Sequence, residues 1–244
     1  MAARGLNPGR PWDWDHRRIV VAALAVTVVL GALSDLLFAA ALQFRPEWFT
    51  DPAQLVTGGE TSATLLTWAA LTDLLGYYLP TLVVALVLWT WLHDRGPVLA
   101  DTAMVGALGY VIAGSIAAAS LAVAGPSLIH SYAAGGTDRG AIVVTFGLLV
   151  DVAVRSVWQL LDGIFIAAWL IGTGLLVWAE QPAFARLSIA LGALFLVSAG
   201  ANVSGVGLAR DALLAVIFGL WFAWDVWLAV LVWRRRPPLL DQAA

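Results

Sequence analysis

The chain has 244 residues, 61% hydrophobic and 12% charged, with a net charge of −3 and a mean hydropathy of +0.87. A soluble domain carries about 25% charged residues, so this composition points to a membrane protein and away from nucleic-acid binding. There is no cysteine, and all 13 basic residues are arginine, which removes disulfides, thiolate metal sites, thiol nucleophiles and any Schiff base on a lysine amine. Abundant Ala, Arg, Gly and Val without lysine also fits a GC-rich bacterial source.

A helical span needs about 20 mainly apolar residues. The segment 1–18, with Arg4, Arg10, Arg17 and Arg18, precedes a first apolar run over 19–42. Ala39-Ala40-Ala41 resembles a signal-peptidase site, but the run exceeds the roughly 7–15 residues of a signal core and holds Asp35, so a retained helix is expected. Further runs follow over 62–92, 99–124, 140–179, 184–201 and 211–233, separated by Gly58-Gly59, Gly96-Pro97, Gly125-Pro126, Gly135-Gly136 and Gln181-Pro182. The 140–179 run would be about 60 Å long as one helix, twice the hydrocarbon thickness.

The positive-inside rule arbitrates. The N-terminal arginines and Arg234, Arg235 and Arg236 ask for both ends in the cytoplasm, hence for an even number of spans. Six spans also place Arg95 and Arg186 inside, whereas seven would strand three arginines outside. The fourth span is then 160–179, and residues 138–157 form a helix at or within the outer boundary. The expected architecture is all-α, a polytopic membrane bundle of six transmembrane helices plus that outer helix. A cytoplasmic segment (1–18), a single helical domain (19–233) and a cytoplasmic tail (234–244) make up the chain. A multi-pass protein of the plasma (inner) membrane is implied.

Ionisable groups in a bilayer are costly and are usually kept for a partner or a purpose. Asp151, Arg155, Gln159 and Asp162 are spaced by four, four and three residues, which at about 100° per residue sets them within roughly 80° of arc. Asp35 falls in the outer third of the first span, and Asp73 about 16 Å down the second. Asn202 ends the fifth span on the outside, where Arg210 and Asp211 begin the sixth. These nine residues are the candidate ligand-binding set and lie in the outer half. The inner half offers Asp225 among Trp221, Trp224 and Trp227, where a carboxylate between indoles could hold a cation, though packing explains the indoles as well. Asp151 and Arg155 could equally neutralise each other as an i,i+4 pair, and polar residues hold membrane helices together without any ligand. Pro80 could kink the second span just inside Asp73. The three histidines do not converge, so no metal site is expected, nor any cofactor.

Four segments carry a family likeness: Gly31-Ala-Leu-Ser-Asp35, Asp73-Leu-Leu-Gly76, Asp162-Gly163-Ile-Phe…Trp169…Gly172, and Phe184-Ala-Arg-Leu-Ser-Ile-Ala-Leu-Gly192. Together they resemble the bacterial family known as domain of unknown function 4386, over about residues 18–233. The resemblance implies a compact helical bundle and carries no activity with it.

The functional expectation is a small molecule or ion bound in an outward-facing polar cavity, in a sensor, transporter or accessory role. An intramembrane enzyme using Asp73 and Asp162 as paired acid and base is the alternative, as is a structural subunit of a membrane complex. The expected partners are the lipid bilayer, the ligand, and further copies or other subunits in an oligomer, with no nucleic acid.

Overall fold

The computed structural model describes residues 14–45, 52–135, 138–205 and 207–234, without the side chains of residues 14–15, 52–53 and 207–212. The segments 1–13 and 235–244, with Arg4, Arg10, Arg235 and Arg236, lie outside the described residues. So do the side chains of two candidates, Arg210 and Asp211.

Every regular element among the described residues is helical. In chain order these are α1 (Trp14–Ala41), α2 (Gly59–Asp73), α3 (Leu79–Leu92), α4 (Pro97–Ala133), α5 (Arg139–Val150), α6 (Asp162–Val177), α7 (Pro182–Val203) and α8 (Gly207–Arg234). A 3₁₀ turn at Pro52–Gly58 leads into α2, and π-helical segments join α2 to α3 (Leu74–Tyr78) and α5 to α6 (Asp151–Leu161). The helices therefore merge into six continuous rods, and six helices are long and apolar enough to cross a membrane.

Local chemistry accounts for the rod ends. Pro97 and Pro182 open their helices, where a missing N–H costs nothing. Asp138 caps α5 by accepting a hydrogen bond from the Ala141 N–H at 3.0 Å. Gly135, at φ +76°, turns the chain after α4 through the left-handed region that glycine enters freely.

Neighbouring rods in the chain pack side by side, and the first also packs on the sixth, closing a ring. The first two rods approach closely where Gly76 faces Gly31: a Cβ on Gly76 would come within 2.7 Å of the Gly31 nitrogen. The Ser34 hydroxyl stitches the same pair by donating to the Ala69 carbonyl at 2.9 Å. Small residues permitting such approach are the usual means of joining membrane helices. Large apolar side chains such as Val98, Val123 and Val144 face outward, being 72–81% exposed.

The fourth rod departs from expectation. A helix does cover Arg139–Val150, but it does not end before the next span: α5, the π segment and α6 run on as Arg139–Val177. No proline or glycine pair interrupts 148–162, so the extra residue of a wide π turn is absorbed without breaking the rod.

The second rod owes its π segment to Pro80. Proline supplies no N–H and its ring clashes with the carbonyl four residues earlier, so the helix widens: the Leu79 N–H reaches back five residues to Leu74. The Thr81 hydroxyl donates to the Tyr77 carbonyl at 2.6 Å. Pro80→Ala is expected to let residues 74–80 relax to ordinary α-helical bonding, visible in a structure of the variant in lipid nanodiscs. If the π segment persists, the tyrosines it carries, and not the proline, are what hold it.

Candidate functional site

Three candidate carboxylates meet inside the ring. Asp73 and Asp162 are 8% and 4% exposed, and Asp225 on the sixth rod is 2% exposed, so none is solvated. Asp35 is half-buried and accepts a hydrogen bond from the Tyr77 hydroxyl at 3.0 Å. Asp162 accepts one from the Tyr78 hydroxyl at 2.9 Å. Both tyrosines sit in the π segment that follows Asp73, and Asp162 directly follows the other π segment. The two irregular stretches thus present the two halves of the central hydrogen bond. Segments of this kind recur at functional sites because they re-aim side chains without ending a helix.

The third rod contributes Tyr110, whose ring lies 4.9 Å from that of Tyr78. Asp73 is within electrostatic reach of Asp35, Asp162 and all three tyrosines, and Asp225 within reach of Tyr77 and Tyr110. The centre therefore gathers four carboxylates from the first, second, fourth and sixth rods around three tyrosines.

This cluster lacks compensation. Asp73 Oδ2, Asp162 Oδ1 and Asp225 Oδ2 are buried without a hydrogen-bond partner, as are Ser115 Oγ, Gln159 Oε1, Trp158 Nε1, Ser198 Oγ and Trp221 Nε1. Trp221 sits one turn before Asp225 and faces its carboxylate, although not in hydrogen-bonding geometry. No ion pair to any of the four carboxylates is found among the described residues. An unpaired charge in such surroundings is very costly, so each carboxylate there must either carry a proton or hold a cation. Among the described residues no group of three or more His, Asp or Glu is placed to bind a metal ion. Asp35 and Asp162 each accept from a tyrosine hydroxyl, and Asp225 faces an indole.

The remaining candidates divide. Asp151 and Arg155 form an i,i+4 ion pair at 3.3 Å with side chains 48% and 46% exposed, away from the centre. The four-residue stripe is thus not one face, because its phase assumed an α-helix through a segment whose bonds span five residues. Gln159 is part-buried and keeps an unpartnered Oε1. Asn202 donates from Nδ2 to the Arg155 carbonyl at 2.8 Å, a backbone tie between the fourth and fifth rods.

Call the end of the bundle that carries Arg95, Gln181 and Arg234 proximal, and the end that carries Ala41 and Arg139 distal. Towards the distal end Ala41, Leu42, Leu55, Val56, Ala63, Leu66, Ile129 and Phe146 pack together, all at most 5% exposed. The two cavities described, of about 10 and 50 Å³, lie towards the proximal end. The larger is lined by Leu88, Arg95, Thr173, Gln181, Phe184 and Leu228, among others.

Sequence reasoning missed the three tyrosines and placed Asp225 apart. The available signal was scarcity: of four tyrosines in the chain, three lie deep in apolar runs and not near a span end, where tyrosine usually anchors. Comparison with protein-family models, curated proteins and solved structures finds no match for this chain.

Proposed function

We propose that the chain is a multi-pass protein of the plasma membrane that binds small monovalent cations, protons included, at the centre of its bundle. The observation that carries this is the set of three buried carboxylate oxygens, on Asp73, Asp162 and Asp225, that no donor among the described residues reaches. Buried acceptors without donors are rare in folded proteins, and in a membrane rod they mark ion and proton sites. The tyrosine hydroxyls fix one oxygen of Asp35 and of Asp162 and leave the other free to hold the incoming charge. The six rods act as transmembrane helices, the proximal end faces the cytoplasm with both termini, and α5 lies in the outer half with Val144 and Leu148 turned to lipid. Membership of the family of domain of unknown function 4386 is part of the same proposal.

The test is thermal unfolding of the detergent-purified protein at constant ionic strength, in sodium, potassium or N-methylglucamine chloride, at pH 6 and pH 9. A ligand that binds only the folded state at ten times its Kd raises stability by about 1.4 kcal/mol, or roughly 3–6 °C. Sodium or potassium is expected to raise the midpoint over N-methylglucamine at pH 9, where protons compete least. Asp73→Asn combined with Asp162→Asn is expected to abolish the difference. Identical midpoints in all three salts and at both pH values for the native sequence would overturn the reading.

A further inference from the structure

The central cluster continues towards the proximal end, and this gives it a second exit. Asp225 is within electrostatic reach of Tyr77 and Tyr110, and the Tyr110 ring lies 6.2 Å from that of Trp221 on Asp225's own helix. Three residues on from Asp225, about 4.5 Å further along the helix axis, Leu228 lines the larger proximal cavity. The cavity in turn reaches Arg95 and Gln181 at the proximal turns. At the other limit, Asp35 is the half-buried member of the cluster, six residues from the distal end of α1.

We propose that Asp35, the Asp73–Asp162 centre and Asp225 form one pathway along which protons cross the bundle between its two ends. The chemistry is proton transfer alone. A carboxylic acid gives its proton to the next unprotonated carboxylate, by way of water or a tyrosine hydroxyl, and no other bond forms or breaks. The groups that face Asp225 are Tyr77 from the second rod, Tyr110 from the third and Trp221 from its own helix. The nearby Ser188 of the fifth rod accepts from Trp224 at 2.7 Å. No charged side chain of the first or fifth rod is among Asp225's described partners.

This proposal rests on the ion-binding reading of the centre and extends it. The experiment uses the full chain in liposomes enclosing a pH-sensitive dye, with a potassium gradient and valinomycin setting the interior negative. It is run with sodium on neither side, on one side and on both. The native protein is expected to acidify the interior at least tenfold faster than protein-free liposomes in one or more of these conditions. Asp225→Asn is expected to fall back to the protein-free rate while keeping the native elution volume on gel filtration. Asp151→Asn, in the exposed pair, is expected to match the native rate. A native rate equal to that of empty liposomes in all three conditions overturns the pathway, as does an Asp225→Asn rate equal to native. The salt-dependent unfolding of the native protein separately decides the central reading.

Discussion

Replacing Gly114 with alanine is expected to destabilise the bundle by about 2–5 kcal/mol, combining overpacking with the loss of a buried hydrogen bond. An added Cβ at this position would fall on the Tyr78 ring at Cε1 and Cζ. The ring cannot simply step aside. It stacks against Tyr110 at 4.9 Å, and its hydroxyl donates to Asp162, whose other oxygen already lacks a partner. Displacing Tyr78 would leave a buried carboxyl without any donor. The measurement is unfolding in mixed micelles with increasing denaturing detergent. A second variant identifies the cause: with Tyr78→Leu already present, adding Gly114→Ala is expected to cost little more. Residues in contact are the ones whose effects fail to add, so additive costs would mean that the new methyl meets something else. Gly147→Ala is the control, since a Cβ there meets nothing within 4 Å, and it should be neutral or gain up to about 1 kcal/mol from helix propensity.

The sequence made the rods easy to see and their rotation hard. Apolar runs of span length bounded by Gly96-Pro97 and Gln181-Pro182 leave few alternatives, and both prolines do open helices. Rod length was harder, because the continuation from α5 into α6 depends on a π turn that no residue type announces. The same turn undid the four-residue stripe, since a phase counted at 3.6 residues per turn drifts wherever the bonds lengthen to five. Asp35, Asp73 and Asp162 stood out as carboxylates in the middle of apolar runs, and they do converge. Depth along a rod, however, says nothing about which way a residue points. Asp225 looked remote by its depth in the sixth rod, yet the ring turns it inward, within reach of Tyr77 and Tyr110. Tyrosine reads from sequence as an interface anchor, and only the close packing of Gly114 on Tyr78 brings that hydroxyl to Asp162.

Trp224→Ala is expected to cost about 3–5 kcal/mol, the usual range for deleting a buried indole, and to increase proton flux where Asp225→Asn removes it. Trp224 is fully buried, with Trp169 at 5.3 Å, Phe184 at 5.4 Å and Trp221 at 6.2 Å between ring centroids. It thus joins the fourth, fifth and sixth rods. In a bilayer the loss is of packing contacts more than of transfer from water, so the lower part of that range is the firmer expectation. Trp224→Phe separates packing from hydrogen bonding. It keeps much of the ring contact and deletes only the donor to Ser188, whose hydroxyl still donates to the Phe184 carbonyl at 3.0 Å. Its cost should be near 1 kcal/mol, typical of one hydrogen bond, and equal costs for Ala and Phe would assign the stability to that bond. The space left by alanine adjoins Ser188, whose hydroxyl loses its donor, and Phe184, which lines the proximal cavity. A roomy space that holds an unpaired hydroxyl and opens on that cavity admits water, and water shortens the transfer between Asp225 and the proximal end. A variant that is less stable yet conducts faster cannot be explained by loss of fold. That opposite sign, read in the same liposomes as Asp225→Asn, separates a proton pathway from a packed polar core that only holds the helices together.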